Sequence, residues 1–157
     1  MKKSFPFLVC TLALTASTLL ALPASAQTPA APSSAPGANT LLFDSFGGKA
    51  GLVKLIDVFM VQLLADPRTG PHFKPANQQN IKAQLVDQVC AAMGGPCVYK
   101  GVDMKTAHAN SDITKGDFNA LVEALQRAMD AQGIPFGAQN QLLAALAPMH
   151  RDVITVK

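Results

Sequence analysis

The stretch "GLVKLIDVFMVQLLADPR", residues 51–68, decides the fold class. Leu52, Ile56, Phe59 and Leu63 recur at helical spacing, and Val53, Leu55, Met60 and Leu64 widen the stripe. A helix that is apolar over so much of its circumference belongs at the centre of a core. Asp66-Pro67 ends it, because the residue before a proline is pushed out of the helical region. On the other side, Gly47-Gly48 set a sharp corner between this helix and the short segment "LLFDSF".

Downstream, a second helix is predicted from Asn77 or Gln78 to Met93, with Ile81, Leu85 and Val89 four apart on one face. Gly94-Gly95 stop it and Pro96 prevents an immediate restart. An irregular piece, "CVYKGV", leads to a short helix from about Asp103 to Ala109. Thr114-Lys115-Gly116-Asp117 fits a capping box. The helix it opens carries Phe118, Leu121, Val122, Leu125 and Met129 and stops at Gly133, with Pro135 beyond. "AQNQLLAALAPM" supplies the last helix, with Leu142, Leu143, Leu146 and Met149 facing inward. No stretch reads as strand. The fold class is therefore all-α, four longer helices plus short pieces, without internal repeats.

Upstream of the domain, Lys2 and Lys3 precede an apolar run from Phe5 to Leu22 that closes on Ala24-Ser25-Ala26, the layout of a secretory signal peptide cleaved after Ala26. Pro6, Pro23 and the lack of a stop-transfer flank speak against a retained anchor, so no membrane span is expected after cleavage. Cys10 follows Phe7-Leu8-Val9, which lacks the small residue of a lipoprotein site. Residues 27–39, rich in Pro, Ala and Ser, read as a flexible linker, and residues 40–157 as one folded domain. The expected location is the periplasm or the exterior.

Charge excludes one class of partner. The full chain has 13 basic and 10 acidic residues; loss of Lys2 and Lys3 with the leader leaves 11 and 10, a net charge of +1. With no basic run, and Tyr99 as the single tyrosine, there is no footprint for nucleic acid. Cys90 and Cys97 flank "AAMGGP", and two readings fit: a disulfide formed in an oxidising compartment, or two buried thiols behaving as small apolar groups.

The usual catalytic signatures are missing. There is no G-x-S-x-G, no phosphate-cradling glycine loop, no H-E-x-x-H and no paired carboxylates. Zinc would need more ligands than the two cysteines leave free. His108, in "GVDMKTAHANSDIT", shares a helical face with Met104 and has no metal-ligand neighbours at a suitable spacing. One chemistry needs only a single protein ligand: haem iron held by one proximal histidine, with apolar side chains sandwiching the porphyrin. A packed structural histidine is the alternative.

From about Leu42 to Met149 the chain resembles the truncated haemoglobins, group I in particular, whose fold is a two-over-two helical sandwich. Seven landmarks occur in order: "LFDSFGGKAGL", "VFMVQLLADPR", "PHF", "MGGP", "YKGVDMKTAH", "DFNALVEALQRAMDAQGIP" and "QNQLLAALAPM". The resemblance implies haem b (iron protoporphyrin IX) as cofactor, His108 as its proximal iron ligand, and Phe73 packed on the haem face. It places Met104 beneath the ring and Phe59, Met60, Ile81 and Leu85 around the distal side. His72 is expected to face solvent beside the haem edge and His150 to lie on the surface. Lys49, Arg68 and Lys105 are the basic residues that could approach the propionates.

The distal side departs from the family pattern. Many group I members carry Tyr after the phenylalanine of the apolar helix, where this chain has Phe59-Met60; positions often held by Gln are Ile81 and Leu85. The pocket therefore reads as apolar, with Gln84 and Gln88 able to reach it only if the helix is rotated. Dioxygen draws negative charge when it binds and gains from a distal donor, whereas carbon monoxide gains little. The expected function is a haem protein binding oxygen, carbon monoxide or nitric oxide, a monomer served by a periplasmic electron donor. Alternatives are a haem enzyme for nitric oxide dioxygenation or peroxidase-like chemistry, and a haem-free helical interaction domain.

Overall fold

A computed structural model describes the backbone of residues 37–156 and the side chains from Leu41 onward. The leader and most of the linker lie outside the described residues. Those described form α1 (Gly37–Ser45), α2 (Gly48–Ala65), α3 (Gly70–Phe73), α4 (Gln78–Ala92), α5 (Met104–His108), α6 (Lys115–Ala131), α7 (Phe136–Leu146), a 3-10 turn (Ala147–Met149) and α8 (His150–Val153). Among them there is no strand, as the sequence predicts. Helix α1 begins three residues before Thr40, inside the segment whose composition reads as linker.

Helix α2 is the spine, packed on both α4 and α6. Leu52, Leu55, Ile56, Phe59, Met60 and Leu63 are its buried residues, a stripe at i, i+3, i+4, i+7, i+8 and i+11. Val53 was expected in that stripe and is not; it is 44% exposed, and Val61 on the same outer side is 68% exposed. The core continues through Phe46, Val86, Val89, Met93, Leu125, Met129 and Leu142. Gly47 and Gly48, with φ of 75° and 62°, make the corner from α1 into α2 in a region that side chains disfavour. Gly51 serves a different purpose: a Cβ there would sit 1.8 Å from the Phe46 carbonyl oxygen, so only glycine lets the corner close.

The remaining ends follow local chemistry. Asp66 is extended before Pro67, as required, and the buried Thr69 hydroxyl donates to the Leu63 carbonyl at 2.7 Å. Asn77 caps α4 by accepting from the Asn80 N–H at 3.1 Å, and Gly94, with φ 71°, turns the chain out of its far end. The capping box on α6 is present, Thr114 and Asp117 each bonding the other's backbone N–H. Gln139, buried in α7, donates to Asp130 Oδ1 at 2.8 Å and to the Ile134 carbonyl at 2.9 Å, pinning the α6–α7 corner. Finally, the N–H groups of Thr155 and Val156 both donate to the Ile113 carbonyl at 3.0 Å, and Ile113 N–H donates to Thr155 Oγ1 at 2.8 Å. Residues 155 and 156 are thereby tied to the segment between α5 and α6.

Candidate functional site

Helix α5 is only five residues long and is built to present its last one. Asp103 starts it by accepting from the Thr106 N–H at 2.9 Å and the Thr106 hydroxyl at 2.7 Å. These bonds hold the Asp103 carboxyl below its ordinary range, the backbone bond from Thr106 being the main cause. One turn later comes His108, half-buried, with Nδ1 2.7 Å from the Met104 carbonyl oxygen. A carbonyl can only accept, so Nδ1 carries the proton and Nε2 of the neutral ring keeps its lone pair. That is the arrangement in which a histidine ligates a metal through Nε2 while its other nitrogen is held by the backbone. Just beyond, Asp112 takes a positive φ of 47°, a conformation aspartate tolerates, and the chain turns away from α5.

The donor chemistry fits a single-ligand site. Among the described residues no three His, Cys, Asp or Glu side chains gather to hold a metal ion, so a cofactor that brings its own ring of ligands suits this one imidazole. The apolar residues expected around such a cofactor stand on α2, α3 and α4. Phe59 and Met60 are buried on α2, and Phe73 at the end of α3 and Leu85 on α4 are partly buried and pack against the core. Ile81 is half-buried one turn before Leu85.

Gln88 ties α4 to α5 through its side chain. Its amide nitrogen donates toward Met104 Sδ at 3.1 Å and toward Met149 Sδ at 3.4 Å, crossing from α4 to α5. Residues 81, 85 and 88 are i, i+4 and i+7, so Gln88 stands on the same face of α4 as Ile81 and Leu85.

Other expected residues have different partners. Lys49 Nζ lies 3.2 Å from Asp87 Oδ1, and Arg68 bonds Asp66 at 2.8 Å and Glu123 at 2.9 Å. The Arg68 guanidinium holds the Asp66 carboxyl down to about 2. Both cations are thus paired with carboxylates, while Lys105 is exposed on α5. His72 Nε2 stands 3.7 Å from Asp117 Oδ2, so it faces α6 instead of open solvent. His150 is exposed, its ring centroid 6.3 Å from that of Phe118. Cys90 and Cys97 form a disulfide that fastens the last turn of α4 to the segment approaching α5.

Comparison with known proteins agrees with this geometry. The family model for Bacterial-like globin matches residues 41–155. The chain is 32% identical over 114 residues to the Group 1 truncated hemoglobin GlbN of Mycolicibacterium paratuberculosis, covering 73% of this chain and 84% of that protein. It is 30% identical over 93 residues to a Group 1 truncated hemoglobin of Tetrahymena thermophila, covering 59% and 77%. The crystal structure of truncated hemoglobin from Tetrahymena pyriformis in the Fe(III) form superposes with a TM-score of 0.69 at 24% identity, over 72% of this chain and 97% of that one. The 2/2 hemoglobin of a Synechococcus species gives 0.68 at 23% identity, with the same coverage. The helical arrangement is thus that of the two-over-two sandwich.

Proposed function

We propose, on the premise that this chain belongs to the bacterial-like globin family, that it is an exported haem protein whose iron ligand is His108 and whose distal wall is Met60, Ile81 and Leu85. The family is one of haem proteins that bind small diatomic gases, with haem b as the usual cofactor. When bound, the haem iron supplies an open coordination position for a diatomic ligand. The observation that carries the reading is the bond from His108 Nδ1–H to the Met104 carbonyl, which fixes the tautomer and aims the Nε2 lone pair. Phe73 and Met104 offer apolar surface for the ring. None of the three distal-wall side chains can donate a hydrogen bond, so this wall excludes water without rewarding a ligand that gathers charge. It favours carbon monoxide and nitric oxide over oxygen.

Export rests on residues 1–26, which lie outside the described residues: two lysines, an apolar run and the small-residue site at Ala24-Ser25-Ala26. The Cys90–Cys97 bridge supports it, since structural disulfides persist in oxidising compartments. Mass spectrometry of the exported fraction is expected to find a chain that starts at Gln27; an intact leader would overturn the assignment.

Optical spectra test the haem site. Protein reconstituted with one equivalent of haem is expected to show a sharp Soret band that moves on reduction and on adding carbon monoxide, and His108→Ala is expected to lose or alter it. A broad spectrum of adsorbed haem in both proteins would refute the reading and leave a haem-free helical domain.

A further inference from the structure

Residues 96–102, between the end of α4 and the start of α5, are neither helix nor strand, yet they alternate without a break between exposed and part-buried. Pro96, Val98, Lys100 and Val102 are exposed, Val98 by 69% and Val102 by 58%, while Cys97, Tyr99 and Gly101 are part-buried. A period of two is the side-chain pattern of an extended chain. The stretch is held along its length: Cys97 by its bond to Cys90, and Tyr99 by its hydroxyl, which donates to the Val102 carbonyl at 2.8 Å. Asp103, the cap of α5, fixes the far end. Tyr99 lies so close over Gly101 that a Cβ there would run into its ring. For all this restraint, none of the backbone N–H groups of residues 97–102 donates to a backbone carbonyl among the described residues. An ordered stretch with unspent backbone donors is a template for pairing with another chain.

Charge narrows the partner. A cleft of about 400 Å³ runs beside the segment, lined by Val98 and Lys100 together with Lys49 and Asp87. Asp87 already answers Lys49 at 3.2 Å, and Lys100 has no carboxylate partner among the described residues. A second copy of this chain, paired antiparallel about the middle of the exposed row, would set Lys100 against Lys100, and like charges directly opposite destabilise a sheet. A lysine on an open edge guards against that pairing and still admits an acidic chain. We infer that residues 97–102 are a docking edge for an extended acidic segment of a partner protein. That segment pairs with their backbone, packs apolar side chains on Val98 and Val102, and sets a carboxylate on Lys100. The inference stands apart from the haem site, although the edge leads straight into the helix of His108.

The test uses the mature chain with its disulfide intact, alone and with haem and carbon monoxide added. The probe is the acetylated, amidated peptide Ser-Val-Thr-Glu-Thr-Val-Ser, which when extended carries Val, Glu and Val on one face. Backbone amide resonances of the protein are followed as the peptide is titrated in. Saturable binding below about 1 mM is expected, with the largest shifts at residues 97–102. The same peptide methylated at its backbone nitrogens is expected to bind about tenfold more weakly, and Lys100→Glu to weaken the unmodified peptide about fivefold. Val98→Pro removes a donor that the fold leaves unspent, so it is expected to keep the melting temperature and to weaken binding. Where proline disturbs folding, Lys100→Glu and the methylated peptide carry the test. No saturable shift at residues 97–102, or equal binding of the methylated peptide, overturns the inference. Equal binding to Lys100→Glu overturns the acidic partner, and with it the inference. Concentration-dependent shifts of the same resonances without peptide assign the edge to a second copy of the chain and overturn it too.

Discussion

Reducing the Cys90–Cys97 bridge removes one covalent constraint and nothing else from the chain, which makes its effect calculable. The cysteines are seven positions apart, so the bridge closes a loop of eight residues. In the chain-entropy picture a loop of that size is worth about 2.5 kcal/mol at 25 °C, through restriction of the unfolded ensemble. A domain of roughly 120 residues unfolds with an entropy near 0.25 kcal/mol per degree, so the melting temperature is expected to fall by about 10 °C. The assay is thermal unfolding followed by far-ultraviolet circular dichroism on the haem-free protein, oxidised and then reduced, with thiols counted in the denatured, unreduced sample. Because α4 is joined through this bridge to the approach to α5, haem is also expected to leave the reduced protein faster. Two free thiols per mature chain before reduction, or melting temperatures within about 2 °C of each other, would refute the reasoning.

Four further outcomes are expected. The Asp117 carboxyl lies below its ordinary 3.8, chiefly through the Thr114 hydroxyl and then its N–H, so its contribution is complete above pH 4 and fades as pH falls through the lower folded value. Asp117→Asn should therefore cost about 1 kcal/mol at pH 7, and melting curves should show the gap to wild type narrowing below pH 4. Gly51→Ala forces a methyl into the Phe46 carbonyl and should destabilise by about 1–3 kcal/mol in urea unfolding, as overpacking does. Leu142→Ala, at a fully buried site where α7 meets the core, should cost about 2–5 kcal/mol in the same assay. Met60→Tyr places a hydroxyl in the proposed distal wall and should slow oxygen dissociation about tenfold in stopped-flow measurements; an unchanged rate would overturn that placing of Met60.

What could be read beforehand depended on how local the cause was. The α2 stripe, the Thr114–Asp117 box and the Gly94 stop are each decided within a few residues, and they stand where the sequence puts them. Val53 was misplaced because α2 has more apolar side chains than one face can hold, and periodicity alone does not say which are left outside. Composition hid the first turn of α1, where Pro36 and Gly37 look like linker although a helix begins. The short helix that carries His108 stands where the sequence puts it, but the residue's hydrogen bond and tautomer needed the helix to be built. The sequence singles out Gln88 without showing what it touches, and Gln139 escaped altogether, because the meaning of each lies in its partners, Met149 being 61 residues from Gln88. The same holds for Lys49 and Arg68, whose charges answer Asp87 and Glu123 on distant helices.

The hydrogen bonds between Thr155, Val156 and Ile113 also decide which parts of the molecule come loose together. The segment that follows His108 takes its restraints from a residue 42 positions further along, whereas the box that opens α6 is closed within four residues. Fraying of residues 154–156 is thus expected to free the stretch behind α5 while α2, α4 and α6 stay packed. In hydrogen exchange, a chain cut after Val153 is expected to lose protection at the Ile113 amide and to keep it in the core of α2.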